Sequence, residues 1–169
     1  MSYRDSLLSL LAKVNPLSTV AEIGVNCGIT SAMILDRFKD VTLYMIDPWL
    51  PYRDGEREVT QSSQDEARRK AQENTVKQSQ RRVVIEATSS SALQDVPQCD
   101  AVFIDADHSY ESVKQDMAWW GKVRPGGLFC GHDFAKPDIP GVTLAVEEFV
   151  AEYGLELKTA EGHLWWIIR

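Results

Sequence analysis

Five short apolar runs, separated by helical or polar segments, constrain the fold of this chain more than any other feature. They are Thr19 to Val25 (TVAEIGV), Val41 to Asp47 (VTLYMID), Arg82 to Ala87 (RVVIEA), Cys99 to Asp105 (CDAVFID) and Gly127 to Asp133 (GLFCGHD). Each is near-continuously apolar rather than alternating, the mark of strands buried on both faces of a parallel sheet. After the first run, Ile34, Leu35 and Phe38 fall on one side of a helix over Ser31 to Lys39. After the fourth, Tyr110, Val113, Met117 and Trp120 recur at helical spacing behind Ser109, a suitable N-cap. Strand, helix, strand is therefore the repeat, which predicts an open α/β sheet with right-handed crossovers.

The C-terminus departs from this rhythm. Val142 to Tyr153 reads as a helix that Gly154 stops, and the runs LELKTA and LWWIIR follow with only Glu161, Gly162 and His163 between them. No crossover helix fits in so short a link, so these two strands form an antiparallel hairpin. The expected fold is a Rossmann-like seven-stranded sheet, six strands parallel and one reversed, with helices on both faces. At 169 residues the chain reads as one domain, 1–169. The polar stretch from Pro48 to Arg81 fits least well. Its first part, Leu50 to Ser63, reads as a mobile loop and Asp65 to Gln80 as a solvated helix, together either a substrate lid or a surface insertion.

Eighteen basic against 25 acidic residues give a net charge of −7, which disfavours nucleic acid and favours a small-molecule partner. Three cysteines, Cys27, Cys99 and Cys130, lie in or beside apolar segments, as reduced thiols of a cytoplasmic protein would. No apolar run approaches the ~20 residues of a membrane span. The N-terminal LLSLLAKV is expected to be a docking helix or a contact in a homo-oligomer.

In such sheets ligands bind outside the carboxyl ends of the strands. The first run ends in Glu22, Gly24, Asn26 and Gly28 immediately before a helix, where glycines allow a sharp turn and close approach to a ligand. The second ends in Asp47, about twenty residues past Gly28, the spacing at which a carboxylate reaches ribose hydroxyls. A nucleoside cofactor follows from the pair. A dinucleotide turn would place a glycine where Asn26 stands, and Glu22 beside a pyrophosphate would be repulsive, so the cofactor carries an amino-acid end instead.

With these residues in view the chain resembles the class I S-adenosylmethionine-dependent methyltransferases, in particular the small group related to macrocin-type and catechol-type O-methyltransferases. VAEIGVNCGITSAMIL, YMIDPW and FIDADHSYESVKQD…VRPGGLFCGHD carry the resemblance, which extends from about Val20 to Arg169. It implies that Glu22, Gly24 and Gly28 line the methionine end of S-adenosylmethionine, with Asn26 of the same turn also cofactor-binding, that Asp47 holds the ribose, and that Trp49, Ala87, Thr88 and Ser89 lie near adenine. It also implies a divalent metal, Mg²⁺ or Mn²⁺, at Asp105, His132 and Asp133, although His132 stands where a carboxylate is more usual. Imidazole suits Mn²⁺, Fe²⁺ or Zn²⁺ better than Mg²⁺. Without a metal, Asp105, Asp107 and His108 position the acceptor, with His108 the leading base. Asp107 and His108 could instead simply begin the following helix. The expected activity is O-methylation of a small molecule. A nicotinamide-dependent oxidoreductase and a non-catalytic cofactor-binding module are the alternatives.

Overall fold

The computed structural model describes residues 2–54 and 57–169. Its main sheet contains β1 (Thr19–Ile23), β2 (Thr42–Ile46), β5 (Arg82–Ile85), β6 (Cys99–Ile104), β7 (Val123–Gly131), β8 (Lys158–Ala160) and β9 (Leu164–Ile168). A separate two-stranded hairpin pairs β3 (Tyr52–Asp54) with β4 (Arg57–Val59). The order across the main sheet is β5-β2-β1-β6-β7-β9-β8. The first five are parallel neighbours, β9 runs antiparallel to both β7 and β8, and six of the seven strands therefore share one direction. The expected terminal hairpin is present, and its reversed strand is inserted between β7 and β8.

The reason for near-continuous apolarity is visible in β6, where every residue is buried. Val102 and Ile104 enter one core while Ala101 and Phe103 enter the other. The first core packs under α4 (Ser89–Ala92), α5 (Tyr110–Asp116) and α6 (Pro140–Tyr153). The second packs under α1 (Tyr3–Leu11), α2 (Ile29–Arg37) and α3 (Gln61–Asn74). Ser109 caps α5 by accepting from Ser112 N, and left-handed Gly154 ends α6.

Three expectations need correction. The Arg82 run is not buried on both faces: β5 forms a sheet edge and Val83 is exposed. The first half of the Pro48 to Arg81 segment is not irregular, since Tyr52 pairs with Val59 across the β3–β4 hairpin; 55 and 56, which also fall in the expected loop, lie outside the described residues. The helix after it is not merely solvated. Ala71 of α3 is buried against Gly28, Asn74 Nδ2 donates to Cys27 O (2.8 Å) and Gln61 Nε2 donates to Trp49 O (3.1 Å), so polar hydrogen bonds do the anchoring that an apolar stripe would do elsewhere.

Adjacent Trp165 and Trp166 point to opposite faces, the first fully buried against Phe129 and the second partly exposed on the other core. Trp165→Ala should lower the unfolding free energy by about 3–5 kcal/mol, with Trp166→Ala costing less than half as much. Urea denaturation of the two variants checks this, and equal losses would contradict the two-faced placement.

Candidate active site

The parallel register brings the carboxyl ends of the strands to a common edge. The residue after each end donates its N–H to the terminal carbonyl of the neighbouring strand: Gly24 to Ile46 (2.9 Å), Asp47 to Ile85 (3.3 Å), Asp105 to Ile23 (2.8 Å) and His132 to Ile104 (3.0 Å). Strand order reverses between β1 and β6, so Gly24 and Asp105 flank the switch point. There the chains approach so closely that a Cβ on Gly24, which has φ +88°, would lie 2.2 Å from Asp105 O. Only glycine fits.

A cleft of about 650 Å³ opens along this edge. Of the residues singled out from the sequence, Glu22, Gly24, Asn26, Asp47, Thr88, Ser89, Asp105, Asp107, His108, His132 and Asp133 line it. Gly28, Trp49 and Ala87 do not; Ala87 packs against the first core. Gly28 is the left-handed N-cap of α2 beneath Ala71. Trp49 is buried, and its Nε1 donates to Asn26 O at 2.9 Å, so it braces the glycine turn from behind.

Asp47 also supports this turn. Its Oδ2 accepts from Val25 N and Asn26 N, both at 2.9 Å, and its Oδ1 accepts from Trp49 N at 2.8 Å. Part of the carboxylate's acceptor capacity remains for a ligand. Glu22, only 1% exposed, accepts from Ser31 Oγ at 2.5 Å. Burial pushes its carboxyl up to about 8, the Ser31 bond opposes this, and the charges of Asp105 and Asp47 add to it.

On the other side of the switch point, side chains from the segments that follow β6 and β7 converge. His108 Nε2 lies 2.7 Å from Asp133 Oδ2, so His108 does more than begin α5. Asp107 takes the plainer role as well, accepting from Ser109 N at 2.7 Å. His132 Nδ1 lies 3.0 Å from Asp133 Oδ1 and 3.3 Å from Asp105 Oδ1. Lys136 also pairs with Asp133. Burial works against charge on His132, but its bonds to Asp105 and Asp133 overcome this and raise it to about 9. Asp133 is held far below the usual carboxylate range: burial opposes the shift, and His108, His132 and Lys136 outweigh it.

The sequence pattern gave no sign of Tyr3. From α1 it donates to Asp105 Oδ2 (3.1 Å) and stacks on His132 at 3.9 Å between ring centroids. Burial and the adjacent Asp105 charge push its phenol up to about 12, so it remains a donor. The only sequence signal was the apolar α1 face, whose Leu7, Leu10 and Leu11 seat the helix.

Asp105, His132 and Asp133 can each turn one ligand atom into a space where all three lie within 4.8 Å. Asp133 Oδ1 is buried in contact with His132 and Lys136, and two carboxylates with one imidazole form a reasonable divalent donor set. These residues fit a metal ion.

An α/β sheet with a glycine turn and a ribose-distance acid on one side of its switch point, and histidines held by carboxylates on the other, has the build of a nucleoside-cofactor enzyme. The chain belongs to the methyltransferase-domain family, whose model matches residues 21–134, and the methyl donor of that family is S-adenosylmethionine. No curated protein matches it. Among solved structures it is similar to the O-methyltransferase NovP, at 19% identity and a TM-score of 0.70 over 99% of this chain and 79% of that one. It is similar also to a putative caffeoyl-CoA O-methyltransferase from Staphylococcus aureus, at 16% identity and a TM-score of 0.73 over 99% and 82%. The mycinamycin-pathway methyltransferase MycE, solved with Mg and SAH, matches at 16% identity and a TM-score of 0.63 over 94% of this chain and 46% of its own. No described helix is long and apolar enough to cross a membrane.

Because the folded-state carboxyl of Glu22 lies above its ordinary 4.5, its contribution to stability is complete below about 4.5 and is lost as pH rises through about 8. Relative to Glu22→Gln, the ligand-free parent should therefore show a thermal midpoint that falls progressively between pH 5 and 9. Parallel midpoint-versus-pH curves for the two proteins would contradict a neutral buried Glu22.

Proposed function

We propose that the protein transfers the methyl group of S-adenosylmethionine to a hydroxyl oxygen of a small molecule. The observation that carries this reading is the convergence of His108, Asp105, His132 and Asp133 on one point of the cleft, directly across the switch point from the glycine turn. Glu22, Gly24 and Asn26 would receive the methionine end and Asp47 the ribose. A volume of about 650 Å³ accommodates a nucleoside cofactor together with a small acceptor. The O-methyltransferases among the structural neighbours support oxygen as the acceptor atom. The acidic net charge supports a small-molecule acceptor, and the three free thiols a cytoplasmic setting.

In the reaction an acceptor oxygen lone pair forms a bond to the methyl carbon as the carbon–sulfur bond breaks and its electron pair stays on sulfur, leaving a neutral thioether. The chain must align the oxygen about 3 Å from the methyl carbon and take up the hydroxyl proton. His108 is the base. Asp133 Oδ2, 2.7 Å from its Nε2, orients the imidazole and stabilises the imidazolium that forms. Tyr3 fixes the Asp105 carboxylate and the plane of His132. A divalent ion, if taken up, would be held by Asp105, His132 and Asp133 and would supply Lewis-acid polarisation of the acceptor oxygen. The β3–β4 hairpin and α3 frame the cleft through Tyr52 and Gln64 and would serve as its lid.

Incubation with methyl-labelled S-adenosylmethionine and a panel of hydroxylated small molecules should yield labelled product and S-adenosylhomocysteine in equal amounts. His108→Ala should then slow turnover about 10²–10⁴-fold while leaving S-adenosylhomocysteine affinity within about twofold. Exhaustive chelation should abolish activity, with Mn²⁺ restoring it at least as well as Mg²⁺. Full activity after chelation would remove the metal from the scheme and leave His108 as the principal base.

A further inference from the structure

Asp116, the last residue of α5, lines the cleft although it is only 4% exposed. The side chain beside it is Ser89, whose Oγ accepts from Trp119 Nε1 at 2.7 Å and so keeps its own proton available for the carboxylate. Among the described residues no cation pairs with Asp116. Burial pushes its carboxyl up to about 6, with the Ser89 bond opposing and the Asp107 charge adding. An ionised carboxylate offers about four acceptor positions, and one hydroxyl leaves most of them facing the cleft. Withdrawing a carboxylate from water without a cation is costly, and packing alone would be served as well by an uncharged side chain.

Its place along the sheet indicates what offsets that cost. From β6 outward the strand-end residues run Asp105, Gly24, Asp47 and then the Thr88–Ser89 turn beyond edge strand β5. A cofactor with its methionine end at Gly24 and its ribose at Asp47 extends its base toward that turn, away from the transfer centre. The lining there, Thr88, Ser89, Ser90, Ser112 and Gln115, is polar but uncharged, which suits a neutral heterocycle rather than a phosphate.

We propose that Asp116 reads the cofactor's adenine: its carboxylate accepts a hydrogen bond from the exocyclic amino group and makes the site selective for a 6-aminopurine nucleoside. The inference rests on the S-adenosylmethionine reading and names a specificity residue within it, supplied from α5 rather than from the turn after β5.

Calorimetric titration with S-adenosylhomocysteine and with its 6-deamino analogue, in which purine replaces adenine, tests it. The parent protein should prefer the adenine compound at least tenfold. Asp116→Ala should reduce this preference below threefold, chiefly by weakening the adenine compound. Asp116→Asn, nearly isosteric and safer for folding, should narrow it by gaining affinity for the analogue, because its amide can donate to the bare purine N1. Equal affinity of the parent for both ligands would overturn the assignment of Asp116 while leaving the cofactor reading intact. So would variants that weaken both ligands equally, which is the result of a purely structural role. Binding of neither ligand by the folded parent would overturn the cofactor reading and this proposal with it.

Discussion

The site depends on the flush alignment of parallel strand ends. Ile46, Ile23 and Ile104 are in register across β2, β1 and β6, Ile85 pairs with Ile46 at the edge, and Gly131 pairs with Ile104 on the other side. The next residue of each strand reaches sideways to its neighbour's terminal carbonyl, so Gly24, Asp47, Asp105 and His132 form a row at one edge of the sheet. Parallel pairing makes this possible, because every carboxyl end then faces the same way. A register slip of one residue in β6 would turn Asp105 into a core and bring Ile104 to the edge in its place.

The β2-to-β5 segment has the second part in holding the cleft open. Trp49, Gln61, Ala71 and Asn74 all touch the glycine turn or its support, three of them through hydrogen bonds and Ala71 by contact with Gly28. Asp47 joins them by accepting three backbone N–H groups. A residue expected only to bind ribose thus also shapes the glycine turn.

Environment assigns opposite states to similar groups. Glu22 is buried with one hydroxyl partner, and its carboxyl rises to about 8. Asp133, equally hidden from solvent, is held ionised by His108, His132 and Lys136. Burial without a cation favours the neutral form of Glu22, whereas three nitrogen-bearing neighbours keep Asp133 charged.

Much of this was legible in the sequence. Apolar runs ending in Gly24, Asp47, Asp105 and His132–Asp133 determined the strands and therefore the edge on which those residues meet, since side-chain period and crossover handedness leave few other arrangements. The three-residue link between the last two runs likewise forced the reversed strand. The sequence could not decide which polar residues of the cleft bind and which brace. Trp49 and Gly28 proved to support the turn, the Leu50 stretch paired into a hairpin, and Tyr3 arrived from about a hundred residues before its partner Asp105. Nothing in the sequence pattern singled out Asp116. Its burial beside Ser89 exists only after α4 and α5 are packed together. Local pattern determines which face of an element is apolar, but desolvation depends on atoms distant in the chain, so only the tertiary structure decided which carboxylates are forced to find a partner.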